Sequence, residues 1–155
     1  MAGNIDARLA ELGIELPDAA APVANYVAAV ITGNTLFMSG QVTIESGEFK
    51  YLGKLGDAVS VEDGYQAARL CGLNLIAQMR AALDGDLDRV KRVVKLVGFV
   101  NSTPDFTDQP KVVNGVSDLM VEVFGDAGRH ARSAVSAGSL PLGVSVEVEA
   151  IVEID

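Results

Sequence analysis

Arg132 is the residue in this sequence whose surroundings most need a chemical explanation. It is the one charged residue in Ala131 to Ala137, a short run of small and apolar residues that reads as a strand. A guanidinium in that setting needs an anion, because its planar fork of N–H donors matches a carboxylate in two-point fashion. The anion could belong to the protein or arrive with a ligand. Two protein candidates are Glu147 and Glu149, on the polar face of a strand expected over Val144 to Asp155. There Val144, Val146, Val148, Ala150, Val152 and Ile154 alternate with mostly polar neighbours. Arg132 therefore has two open readings: a clamp for a ligand carboxylate, or a structural ion pair with Glu147 or Glu149 across adjacent strands.

Other reactive side chains are few. The single histidine, His130, precedes Arg132 in an expected turn and reads as a surface residue that could also line the same site. The single cysteine, Cys71, falls inside a helical pattern and reads as core; alone it permits neither an intramolecular disulfide nor a thiolate metal cluster. There is no GxGxxG, no phosphate-binding Walker loop, no HExxH and no CxxC. One histidine and scattered carboxylates give no basis for a metal site. Taken singly, Tyr26 reads as half-buried packing at a strand start, Ser39 as turn chemistry beside glycine, and Asn114 as a mid-helix residue at the border of an apolar stripe.

The elements that must position these residues follow from periodicity. Asn4 to Leu12 reads as a short amphipathic helix stopped by Gly13, and Glu15 to Asn25 as a connector with two prolines. Tyr26 to Thr32 and Thr35 to Gln41 read as a hairpin around Gly33-Asn34, a pair in which both residues tolerate positive φ. Ser46 to Ser60 is a glycine-rich loop with a short strand at Phe49 to Leu52. Ser60-Val61-Glu62-Asp63 has the composition of a capping box and opens a long helix that Gly85 ends. Val90 to Asn101 turns apolar on both faces from Val93, as an interior strand does. Asp108 is placed to cap a second long helix with Pro110 in its first turn and Gly125 beyond its end. Ser139 to Gly143, with Pro141 and Gly143, is a turn between the two closing strands. The order predicts an α+β domain over residues 1–155, with residues 1–20 as an N-terminal extension. It is one mixed sheet with two long helices on one face.

Charge narrows the function classes. The chain has 155 residues, 12 basic against 21 acidic, and a net charge of −9, which opposes binding to a phosphate backbone or an anionic membrane surface. Arg89, Lys91, Arg92 and Lys95 form the one basic cluster and read as the solvated entrance of a strand. No apolar run reaches the ~18 residues of a membrane span. The N-terminal stretch lacks a basic region followed by an apolar one, so a cytoplasmic location is expected. Apolar residues make up 49%, and a sheet covered on one side leaves the other bare, so an oligomer is expected.

Several of these residues together resemble the YjgF/RidA family, the reactive-intermediate deaminases also described as L-PSP endoribonucleases. The resemblance runs from about Pro22 to the C-terminus. It rests on Tyr26-Val27, Phe37-Met38-Ser39-Gly40-Gln41, Val93 to Val100, and above all Ala131-Arg132-Ser133-Ala134-Val135 followed by Leu140-Pro141 and Val146-Glu147-Val148-Glu149-Ala150-Ile151. It implies a chorismate-mutase-like fold assembled as a homotrimer around a central barrel, with ligand sites in clefts between subunits. It implies hydrolysis of 2-imino acids, tautomers of enamines, to 2-oxo acids and ammonia, without cofactor or metal. By motif position Arg132 would hold the substrate carboxylate and Glu147 would act on water; Tyr26, Ser39 and Asn114 would bind substrate. The alternative is a trimer that binds small carboxylates without turnover. The chain departs from the deaminase pattern at Ala24-Asn25, where Gly-Pro is usual, and at Ala134, where many members carry cysteine. It also has the N-terminal helix and the longer Ser46 to Ser60 loop. It thus resembles a diverged branch of the family.

Overall fold

The computed structural model describes residues 3–155. The chain runs α1 (Asn4–Glu11), β1 (Ala29–Thr32), β2 (Thr35–Val42), β3 (Ile44–Glu45), β4 (Glu48–Phe49), α2 (Val61–Ala82), β5 (Val90–Asn101), α3 (Gln109–Phe124), β6 (Ala131–Ala137) and β7 (Val146–Ile154). Five strands form one sheet in the order β1-β2-β7-β5-β6. Only β5 and β6 pair in parallel, with α3 as their crossover; the other pairs are antiparallel. The sheet is therefore mixed, and α2 and α3 cover one of its faces. No helix among the described residues is long and apolar enough to cross a membrane.

The core lies between that face and the helices. Leu36 and Met38 of β2 and the apolar residues of β7 pack under α2, while β5, with Val93, Leu96 and Val100 in the same core, also meets α3, whose three-and-four spacing marks out a stripe from Val112 to Phe124. The helices cross closely because glycines meet there. A Cβ on Gly115 of α3 would lie 1.9 Å from the backbone oxygen of Tyr65 on α2, and one on Gly72 would lie 2.8 Å from Leu119.

Helix starts follow local chemistry only in part. The Ser60 hydroxyl accepts from the Asp63 backbone N–H at 3.1 Å, as a capping serine does. Asp108 precedes α3 but makes no side-chain cap; it forms an ion pair with Lys111 instead. The first turn of α1 is satisfied from far away in sequence. The Asp88 carboxylate accepts from the Asn4 and Ile5 N–H groups, each at 2.8 Å, an anion placed at the positive end of a helix.

Three expectations are corrected. The first strand starts at Ala29, three residues late, because Tyr26 turns back to the Ala24 carbonyl. The short strand of the glycine-rich loop is Glu48–Phe49, and Leu52 makes only an isolated bridge to Val144. In the β1–β2 turn only Gly33 takes a positive φ, 59°.

The face away from the helices is uncovered. One row across it reads Val30, Phe37, Ile151, Lys95 and Ala131, each paired with the next. Val30 and Phe37 are exposed there.

Candidate functional site

Arg132 sits on β6, the outermost strand on its side of the sheet. Its register partner is Leu96, which is fully buried on the helix side. Side chains of paired strands at one register position share a face, so Arg132 also turns towards α3. There its Nη1 donates to Asn114 Oδ1 at 2.8 Å and to Ser117 Oγ at 3.1 Å. Asn114 and Ser117 stand three residues apart on α3, which puts them on one side of the helix. His130 completes the group: Nε2 lies 2.8 Å from Ser117 Oγ, and Nδ1 lies 2.6 Å from the Gly128 carbonyl oxygen. Burial, followed by the nearby Arg132 charge, lowers the His130 pKa from its ordinary value, although the bond to Gly128 works the other way. These four residues line an open depression of about 370 Å³ with Asp118, Val121 and Arg129.

Of the two readings of Arg132, the structural ion pair with Glu147 or Glu149 is absent among the described residues: none of their ion pairs involves it. The physical reason is topological. The closing strands β6 and β7 are not neighbours; β5 lies between them. Moreover, Glu147 and Glu149 alternate with the buried Val146, Val148 and Ala150, so they project from the opposite face. His130, read as a surface residue, is half-buried and bonded within the Arg132 group.

Glu147 belongs to a second depression, of about 310 Å³, on the other face. It is lined by Glu147, Tyr26, Gly40, Gln41, Phe49 and Leu142, and by Ala20 to Val23 of the N-terminal connector. A β-bulge between Met38 and Gln41 builds it, re-aiming the strand beside Glu147. Gly40 packs closely there: a Cβ would lie 3.0 Å from the Glu147 carboxyl group, which would have to shift by a few tenths of an ångström. Leu142, with φ 62°, holds a left-handed conformation that costs a leucine free energy, at the rim of the same depression. The Glu147 pKa is raised, first by burial and then by Glu149. Tyr26 is exposed. Ser39 does not line the depression; its hydroxyl donates to the Val27 carbonyl at 2.7 Å and ties down the segment that carries Tyr26.

The five candidate residues thus divide between two surfaces of the chain. Arg132 and Asn114 meet on the helix side, whereas Tyr26 and Glu147, with Ser39 behind them, gather on the other. Ser117 was not singled out in the sequence. The signal that could have found it is a second polar residue three positions after Asn114 at the border of the same apolar stripe.

The family model described as "YjgF/chorismate mutase-like, putative endoribonuclease" matches residues 6–154. Protein TCP17 of Trypanosoma cruzi is 53% identical over 154 residues, covering 99% of this chain and 96% of that protein. A 2-iminobutanoate/2-iminopropanoate deaminase of Dermatophagoides farinae is 28% identical over 144 residues, covering 92% of this chain and 95% of the relative. The crystal structure of a protein of unknown function from Agrobacterium tumefaciens superposes with a TM-score of 0.91 at 51% identity, covering 97% of this chain and 92% of that one. The mixed sheet with two long helices on one face, together with these matches, gives the fold as YjgF/chorismate-mutase-like, and the chain belongs to the YjgF/RidA family.

Proposed function

We propose that this protein hydrolyses 2-imino acids to 2-oxo acids and ammonia, at sites completed between copies of the chain. The observation that carries the reading is the state of Arg132: among the described residues it has no carboxylate partner, and it lines an open depression. Both hydrogens of Nη1 are engaged by Asn114 and Ser117. No described residue accepts from Nε or Nη2, which leaves an edge of the guanidinium for a planar carboxylate. The deaminase from Dermatophagoides farinae supports the choice of reaction.

Within one protomer Arg132 and Glu147 face opposite sides of the sheet. In this reading Arg132 of one copy therefore meets Glu147 and Tyr26 of the next, as a homotrimer with a central barrel allows. The clamp fixes the substrate carboxylate and so orients the adjacent imine carbon. Glu147, held above the ordinary carboxylate range, is the more basic for it and takes a proton from the attacking water. The new C–O bond converts the imine to a tetrahedral amino alcohol. Glu147 returns that proton to the nitrogen of the amino alcohol; the hydroxyl proton then passes through the same carboxylate to nitrogen as the C=O bond forms and the C–N bond breaks, and the oxo acid and ammonia leave. The reaction needs no redox partner.

A dehydratase acting on threonine supplies the imine, and its disappearance is followed spectroscopically with and without the protein. Acceleration is expected in the wild type. Arg132→Ala should abolish it and cost about 2–5 kcal/mol in carboxylate binding. Arg132→Lys should also fail, because the planar fork is lost. Glu147→Gln should bind 2-oxobutanoate and not turn over imine. A wild type that binds 2-oxobutanoate and leaves the imine untouched would make the protein a carboxylate-binding trimer instead. Endoribonuclease activity is disfavoured by the net charge of −9.

A further inference from the structure

The side chains behind Arg132 form a directed chain of hydrogen bonds. At the far end the Gly128 carbonyl can only accept, so His130 Nδ1 must carry a proton and donate to it, at 2.6 Å. In the neutral ring Nε2 is then an acceptor, and at 2.8 Å its donor is the Ser117 hydroxyl. With its proton so directed, Ser117 Oγ presents lone pairs to the other side, where Arg132 Nη1 donates at 3.1 Å. The second Nη1 hydrogen goes to Asn114 Oδ1 at 2.8 Å. One carbonyl oxygen thus fixes a tautomer, the tautomer fixes a hydroxyl rotor, and the rotor fixes one end of the guanidinium.

We propose that Ser117 and His130 are positioning residues of the carboxylate site, saturating Nη1 of Arg132 so that its Nε–Nη2 edge is the one offered to the ligand. The proposal rests on the reading of Arg132 as a clamp and adds the groups that aim it. A free arginine rotates about four side-chain torsions and can present any edge of its fork. Pinning Nη1 at two points removes most of that freedom before the ligand arrives, which lowers the ordering cost of binding. It also selects a side-on, two-point grip over an end-on one, because Nη1 has no hydrogen left to give. Neither residue touches the ligand in this arrangement; both act through Arg132.

The same chain couples the site to a proton. The groups that face His130 are Arg132 on β6, Ser117 and Asp118 on α3, and Arg129 with the Gly128 carbonyl in the preceding turn. Asp118 is already engaged by the Tyr65 hydroxyl at 2.6 Å. A carboxylate bound to Arg132 would bring a new negative charge to the imidazole, favouring its protonated form, in which Nε2 donates to Ser117 Oγ and that oxygen still accepts from Nη1, so Nη1 stays saturated. By reciprocity, mild acid should tighten carboxylate binding.

The test compares the wild type with Ser117→Ala, Ser117→Thr, His130→Phe and Arg132→Ala, using calorimetric binding of 2-oxobutanoate, imine turnover and thermal melting. Ser117→Ala should weaken binding at least about tenfold while its melting temperature stays near that of the wild type. Ser117→Thr keeps the hydroxyl and should recover most of the affinity. Wild-type binding between about pH 5.5 and 6.5 should take up protons, seen as a binding enthalpy that changes with the ionisation heat of the buffer. His130→Phe should bind more weakly and show no such uptake. Binding by Ser117→Ala within twofold of the wild type, with Arg132→Ala still defective, would overturn the positioning role and leave the clamp standing. Wild-type-like binding by Arg132→Ala would remove the clamp and the positioning role together.

Discussion

At the scale of single residues, the informative quantity is which hydrogen bonds a buried or half-buried polar group has already made. Arg132 has spent two of its five donors on the protein, and Glu147 sits against Gly40 without a cation. Neither has a charged partner among the described residues, an arrangement that is costly for a folded chain and common at binding sites. His130 gives this a pH dependence with a definite sign. Its pKa is lowered in the folded state, first by burial and then by Arg132. Above its ordinary value of about 6.5 it is neutral both folded and unfolded and costs nothing. As pH falls below that value the unfolded chain takes the proton first, so stability declines until the folded pKa is passed. Melting of His130→Gln should lack that decline between about pH 6.5 and 5, and a parallel decline in the variant would assign it to other groups.

At the scale of elements, helix pairing depends on three small positions. Gly64, Gly72 and Gly115 each lie where a side chain would strike the facing helix or its neighbours, and at Gly115 the obstacle is backbone. Backbone cannot turn aside as a side-chain tip can, so the helices would have to separate. Gly115→Ala should cost about 2–3 kcal/mol or more in chemical denaturation. It should also weaken the site, because α3 carries Asn114 and Ser117 next to it. Gly138→Ala is the control: nothing lies near its missing side chain, and the change should stay within about 0.5 kcal/mol. The N-terminal segment is tied at four points: Asp88 accepts at the start of α1, Asp6 pairs with Arg80, Arg8 donates to the Glu122 carbonyl at 2.9 Å, and Gln78 donates to the Ala20 carbonyl at 2.7 Å. These ties bring Ala20 to Val23 to the rim of the Glu147 depression.

At the scale of the whole molecule, the uncovered sheet face is the feature from which an oligomer is expected. Phe37, Val30 and Val135 are exposed large apolar residues on or beside it, and their association with like surfaces is favourable by roughly 25 cal/mol per Å² buried. A homotrimer is the assembly we expect. Light scattering should give about three times the 16.2 kDa chain mass at micromolar concentration. Phe37→Glu, which places a charge next to Ile151 on the row across that face, should shift the species towards monomer and remove turnover with it. A monomeric wild type that hydrolyses imine at full rate would contradict sites completed between copies.

Periodicity and turn chemistry were enough for the long elements, and not for the short strands between β2 and α2. The helix over Val61–Ala82 and the strand over Val90–Asn101 were legible because each local pattern agrees with how the segment is buried. Where the chain begins β1 was not, since the bend at Tyr26 is a backbone contact without a residue signature. Arg132 was legible as a candidate for a simple reason: a lone guanidinium among small side chains calls for an anion. Which anion was not legible, because alternation along a strand says which residues share its faces and nothing about which strand lies beside it. Only the tertiary order β7-β5-β6 removed Glu147 and Glu149 from reach and put Asn114, Ser117 and His130 there in their place. Strand order is set by how the crossover helix and the sheet pack as a whole, and no stretch of the sequence carries that information by itself.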